Sequence, residues 1–184
     1  MIKIGITGSL SSGKSTVCKF ISKKKYSKFS ADGQVNELYK NKKFINVLCK
    51  KMKIPISKNI KKVIKKIIQN DKKKISVLEK IIHPEVRKKM FNFIKKNKNK
   101  NIILEIPLLI EGNLSSLFDK IIFVDASKSI RIKRYVKRGG TKKMFNFLDK
   151  RQLSPRKKIK FCHHVVKNNQ NLEKLKNSVK YLDI

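Results

Sequence analysis

The sequence contains no tryptophan and only 7 glycines, 4 prolines and 3 cysteines in 184 residues. Cys18, Cys49 and Cys162 are odd in number, widely spaced and not grouped as metal-ligand pairs. That argues against a secreted disulfide scaffold and for idle thiols in a reducing compartment, so a cytoplasmic location is expected. No apolar run approaches the ~20 residues of a membrane span, and Met1-Ile2-Lys3-Ile4-Gly5 lacks the long apolar segment of a signal peptide. A membrane partner is therefore not expected. Acids are scarce too: 12 Asp and Glu stand against 48 Lys and Arg, a formal net charge of +36. Hydrophobic residues nevertheless make up 40% of the chain and form apolar runs at 2–6, 102–106 and 120–124, so a disordered polycation is a poor fit. The length suits one domain, with room for small insertions and a buried core.

The charge by itself predicts non-specific attraction to polyanions. Only six of the cations are Arg, and the lysines are scattered among many Asn and Ile, three residues with A/T-rich codons. Most lysines then read as solvated helix faces of a protein from an A/T-biased genome. No aromatic-rich base-stacking motif accompanies them, so no specific nucleic-acid partner is expected. Scarcity makes the placement of each acid, glycine and arginine more informative.

Residues 2–6 read as a buried strand, followed by a Gly/Ser turn and a helix from about Lys14 to Lys24. Lys28–Ala31 reads as a second extended piece ending at Asp32-Gly33. Residues 34–97 are helical in pattern, with turns expected near Asn41, near Pro55 and at His83-Pro84, where Pro84 would open a new helix. Ile60, Val63, Ile64, Ile67 and Ile68 recur at three and four, a helix face turned to a core. Strands follow at 102–106 and Lys120–Asp125, then a helix over Lys128–Arg138, Gly139-Gly140 and a helix to about Leu153. His164–Lys167 reads as a last strand and Leu172–Leu182 as a terminal helix. Strands alternating with helices predict an α/β fold with a parallel sheet covered on both faces. The 34–97 segment is long enough to be an inserted cap.

Gly8-Ser9-Leu10-Ser11-Ser12-Gly13-Lys14-Ser15 matches G-x-x-x-x-G-K-[ST] and sits between a strand and a helix, as a P-loop must. Such a loop turns successive backbone N–H groups toward phosphate oxygens, aided by the positive end of the helix. Lys14 would bridge the β- and γ-phosphates and Ser15 would place its hydroxyl on Mg²⁺. ATP and Mg²⁺ are the implied cofactors. No N-K-x-D sequence is present to read a guanine base, and the chain is short for a motor ATPase. A small kinase remains, and it needs a carboxylate, an acceptor site and a basic lid.

Asp32, after the second strand, can take a proton from an acceptor hydroxyl, hold a Mg²⁺-bound water, or merely cap the next helix. Glu105 ends another strand and suits a Walker-B-like part or an exposed strand end. Arg131, Arg134 and Arg138, half of all the arginines, lie along one helix face before a Gly-Gly hinge. They form either a phosphate-covering lid or an exposed basic face. His83, with Arg87 one turn on, is either a helix-start residue or a contact to an anionic acceptor.

The segments G-I-T-G…S-G-K-S-T-V (5–17), S-A-D (30–32), I-I-H-P-E-V-R (81–87), L-E-I-P-L-L-I-E (104–111), F-D-K-I-I-F-V-D-A (118–126), R-x-x-x-R-x-G (134–140) and V-V-K-N (165–168), in that order, resemble the dephospho-coenzyme A kinase family over nearly the whole chain. The resemblance implies phosphorylation of the ribose 3′-hydroxyl of dephospho-CoA by ATP. It implies a three-layer α/β/α P-loop NTPase fold with a parallel sheet, a helical substrate-binding insertion and a lid. The corresponding boundaries are a core of about 1–33, 101–130 and 154–184, an insertion of about 34–97 and a lid of about 131–153. Carried over by position, Ser11, Ser12, Gly13, Lys14, Ser15 and Thr16 bind ATP together with Arg134. Asp32 sits by the acceptor hydroxyl with His83 and Arg87 on the acceptor side, and Lys14, Asp32 and Arg138 are catalytic. The chain departs from the family at Ser9 and Ser11, where glycines are usual, at Ser30 and at His163, where acids are usual.

Overall fold

The protein is described from a computed structural model covering residues 1–22 and 26–184. Strand β1 (Lys3–Gly8) leads through the Gly/Ser turn into helix α1 (Lys14–Ser22), and β2 (Ser27–Ser30) leads into α2 (Ala31–Leu38). Helices α3 (Lys42–Met52), α4 (Ile60–Asn70) and α5 (Lys74–Lys96) follow. Then come β3 (Ile102–Glu105), β4 (Lys120–Asp125), α6 (Lys128–Lys137), α7 (Lys142–Lys150), α8 (Pro155–Ile159), β5 (His164–Lys167) and α9 (Leu172–Lys180). Two compact units result, one of residues 1–30 and 97–184 and one of residues 31–96.

The first unit is built on a five-stranded sheet of order β2-β3-β1-β4-β5, with every pairing parallel. Parallel strands need both faces covered, and β3 is buried along its whole length. Ile4 and Ile6 of β1, Ile103, Ile122, Val124 and Val166 meet Val17 and Cys18 of α1 and Leu175 and Val179 of α9 on one face. The opposite face of β1 presents Gly5, where a Cβ would lie 2.6 Å from Leu109 Cδ1 and 3.1 Å from Phe118, so the 107–118 segment packs directly on the strand. Helix α8 covers β4. Strand order turns around β1, so the crevice at its carboxyl end is the topological switch point where α/β sheets bind ligands.

The second unit is a helical cluster. Leu38, Phe44, Leu48, Cys49, Met52, Ile60, Ile64, Ile81 and Ile82 form its core, with Ile68 packed alongside. The periodic face expected in the 60–68 stretch is α4, in which Ile60 and Ile64 are each 3% exposed. Asn41 accepts a hydrogen bond from the Phe44 amide and caps α3, which places the expected turn there.

The break expected at His83-Pro84 is absent, because α5 runs through Pro84 without interruption. Proline offers no N–H to the carbonyl four residues back and costs a helix interior about 3 kcal/mol relative to alanine. Burial of Ile75, Ile81, Ile82 and Met90 on both sides of the proline offsets that cost. Boundaries also shift: the second strand stops at Ser30, the terminal helix at Lys180, and the 142–153 stretch ends at Lys150 before a separate α8. Residues 23 and 24, the expected end of the first helix, lie outside the described residues. Among the described residues no helix is long and apolar enough to cross a membrane.

Candidate active site

The loop between β1 and α1 owes its shape to three residues with positive φ. Gly8 (φ 151°) approaches Val124 so closely that a Cβ would stand 2.4 Å from the carbonyl oxygen. Gly13 (φ 99°) leaves no room either, since a Cβ would lie 2.1 Å from Asn168 Nδ2. Between them Ser11 adopts φ 61°, a left-handed conformation that costs a side-chain-bearing residue roughly 1–2 kcal/mol. Among the described residues the amides of Ser11, Gly13 and Ser15 find no acceptor. The first amides of a helix have no intrahelical acceptor, and with the positive end of the helix dipole they favour an anion. The Ser12 hydroxyl, also buried, has no partner among the described residues.

Lys14 is 7% exposed and folds across the loop, donating from Nζ to the Ser9 carbonyl (2.9 Å) and the Gly8 carbonyl (3.2 Å). Its ammonium is thus held over the turn. Ser15 donates to Oε1 of Glu105 (2.5 Å), and Ser30 donates to Oε2 (3.2 Å). Glu105 is 2% exposed, so the strand-end acid is no solvated carboxylate but the residue that orients Ser15. Thr16 continues the first turn of α1, with its amide on the Gly13 carbonyl (3.0 Å).

Three arginines from α6 reach three residues of the loop, and they do different work. Arg131, 5% exposed, pairs with Asp149 (2.5 Å), donates to the Ala126 carbonyl (3.1 Å) and lies over the Phe145 ring. Its remaining bond, to the Leu10 carbonyl (3.4 Å), makes it a brace between the loop and α7. Arg134 donates to the Ser12 carbonyl (3.2 Å) and to Asn168 (3.0 and 3.2 Å). Arg138, capping α6, donates from Nε to the Arg134 carbonyl (3.2 Å) and from a terminal nitrogen to Ser11 Oγ (2.5 Å). Among the described residues neither Arg134 nor Arg138 pairs with a carboxylate. Burial and the neighbouring Arg138 charge lower the pKa of Arg134, so positive charge is crowded at this point.

Two further side chains complete the loop's support and were not singled out from sequence. Asn168, one residue past β5, donates from Nδ2 to the Ser12 carbonyl (2.7 Å) and fills the space that Gly13 vacates. Gln152 accepts from the Leu10 amide (3.2 Å). The V-V-K-N segment placed an asparagine at a strand's carboxyl end, which is the only signal that pointed to Asn168. His163 is elsewhere: its Nδ1 accepts from the Ile121 amide (3.0 Å) near the amino end of β4, so the missing acid there leaves the loop untouched.

In the helical unit Asp32 lies in the first turn of α2, two residues past the strand that ends at Ser30. His83 and Arg87, four apart on α5, share an exposed face. A groove of about 480 Å³ in this unit is lined by Leu38, Phe44, Ile81, Glu85 and Lys88, among others. By helical spacing it lies on the side of α5 opposite His83 and Arg87.

A parallel sheet of this order, with a glycine-lysine-serine loop at its switch point and arginines bearing on that loop, defines an α/β P-loop kinase. The dephospho-CoA kinase family model matches residues 2–174, and the chain belongs to that family. The dephospho-CoA kinase of Bartonella henselae is 33% identical over 97% of this chain and 95% of its own. Among solved structures, TT1252 of Thermus thermophilus superposes with a TM-score of 0.76 at 26% identity, covering 97% of this chain and 94% of its own. Dephospho-CoA kinase from Campylobacter jejuni shares the fold with a TM-score of 0.63 at 22% identity, covering 97% and 93%.

Proposed function

We propose that the protein transfers the γ-phosphoryl group of ATP to the ribose 3′-hydroxyl of dephospho-CoA, giving coenzyme A in the cytoplasm. The convergence of Lys14, Arg134, Arg138 and the unspent amides on one turn supports the donor half and carries the reading. Family membership supports the acceptor.

In this mechanism residues 11–16 bind the β- and γ-phosphates through the unspent amides of Ser11, Gly13 and Ser15 and the Lys14 ammonium. Arg134 and Arg138 stabilise charge that spreads over the transferring group. Asp32 orients the 3′-hydroxyl and takes its proton, while His83 and Arg87 contact the acceptor. Residues 131–153 act as the lid over the core, and residues 34–97 as the acceptor-binding insertion. Mg²⁺ suits the oxygen donors at Ser15, with the buried Glu105 carboxylate behind them, better than it would suit nitrogen or sulfur. Bound there, it would neutralise charge on the phosphates.

Coupled ATP turnover with dephospho-CoA and a panel of nucleotides tests the reading. Turnover on dephospho-CoA is expected; phosphorylation of AMP or CMP with dephospho-CoA untouched would assign another kinase of the same fold. Asp32→Asn should lower kcat by about two to four orders of magnitude with ATP affinity kept. Loss of ATP affinity instead would move Asp32 to a metal-holding role.

A further inference from the structure

The phosphate loop carries a side chain where its backbone conformation favours glycine. Ser11 sits at φ 61°, and its residue is 8% exposed, so a left-handed serine is buried in the turn. Its Oγ accepts the hydrogen bond from Arg138. A hydroxyl has one hydrogen to give and two lone pairs to receive. With one lone pair engaged by a guanidinium, the hydrogen remains, and among the described residues no protein acceptor takes it.

We propose that the Ser11 hydroxyl is itself a phosphate ligand, donating its hydrogen to a phosphate oxygen of the nucleotide while its oxygen holds Arg138 in position over the loop. The inference rests on the reading of this loop as the ATP site and adds to the loop's amides a side-chain donor with a paired arginine. The chemistry favours it on three counts. Arg138 polarises the hydroxyl and makes it a better donor, as linked hydrogen bonds do. The crowding of Arg134 and Arg138 without a carboxylate makes this the point where a phosphate oxygen gains most. Arg138 stands at an exposed helix end, where a long side chain would otherwise sample many rotamers, and the serine oxygen holds it to one. A glycine at position 11 would relax the backbone but lose both effects.

The test is equilibrium ATP binding, with thermal melting alongside, for wild type, Ser11→Gly, Ser11→Ala, Arg138→Ala and the Ser11→Ala/Arg138→Ala pair. Ser11→Gly should melt no lower than wild type, because it removes a left-handed side chain, yet bind ATP about tenfold or more weakly, the usual effect of losing a bond to a charged group. Ser11→Ala should lose affinity to the same degree. Its effect should shrink in the Arg138→Ala background, because the two residues act as one unit. Unchanged affinity in both Ser11 variants, or strictly additive effects, would overturn the proposal. Tighter binding by Ser11→Gly would also overturn it, showing the hydroxyl to compete with nucleotide for Arg138. Wild-type protein that binds no ATP would overturn the reading of the loop, and this inference with it, whereas wild-type binding with indifferent Ser11 variants would overturn this inference alone.

Discussion

At the scale of single residues, small side chains and buried polar ones decide what the site can do. The lysine-serine pair at 14 and 15 was legible from spacing, because G-x-x-x-x-G-K-S binds geometry to composition. The partner of Ser15 was not, since a lone acid at the end of a strand reads equally well as solvent-exposed. Only the parallel register, which sets Glu105 opposite Ile6 of β1 and Ser30 of β2, brings it beneath the loop. The arginines show the same limit. Their three-four spacing placed them on one face, but sequence could not separate Arg131, consumed by Asp149 and Phe145, from Arg134 and Arg138. The cysteines, by contrast, behave as their isolation suggests. Burial pushes the Cys18 thiol up to about 12 and the Cys162 thiol up to about 11, and it raises Cys49 as well. A raised pKa leaves the thiol protonated, and only the thiolate reacts. Alkylation by iodoacetamide at pH 8 should therefore be slow at all three until the protein is unfolded. Rapid native-state labelling of Cys18 would contradict its burial.

At the scale of elements, the first two strands, α1, α6 and β5 fell within a few residues of their expected positions, because alternation and caps mark them. Helix α5 did not. A proline after histidine reads as a helix start, and only the packing of Ile75, Ile81, Ile82 and Met90 shows that tertiary burial overrides it. The short α8 carries a feature invisible in any local window. Lys158, fully buried, pairs with Glu111 at 2.8 Å and also donates to the Pro107 carbonyl, which in turn accepts from Thr7 of β1. Glu111 takes a further bond from the Leu153 amide. The pair therefore ties α8, the segment after β3 and the base of the α7–α8 turn to the strand that leads into the phosphate loop. Removing one partner of a buried pair strands the other charge. Lys158→Met should cost about 3–5 kcal/mol in urea unfolding. A loss below ~1 kcal/mol would show that Glu111 finds solvent once the lysine is gone.

At the scale of the whole molecule, the +36 charge invites a nucleic-acid assignment that the fold does not need. Lysines dominate that charge, while Lys14 and three arginines, Arg131, Arg134 and Arg138, are fixed to the phosphate loop by hydrogen bonds. Charge spread over a surface attracts polyanions generally; charge held by geometry selects a triphosphate. Family and fold were legible because ordered motifs span nearly the whole chain, even through heavy lysine enrichment. If the β1–α1 turn delivers the transferred phosphoryl group, loss of Lys14 should damage the reaction most. The rate of coenzyme A formation from ATP and dephospho-CoA, compared between wild type and Lys14→Ala, tests it most directly. Lys14→Ala should lose two to three orders of magnitude or more in rate, the ~3–4 kcal/mol that one well-placed donor supplies to a transition state. A Lys14→Ala enzyme that forms coenzyme A at the wild-type rate would contradict it.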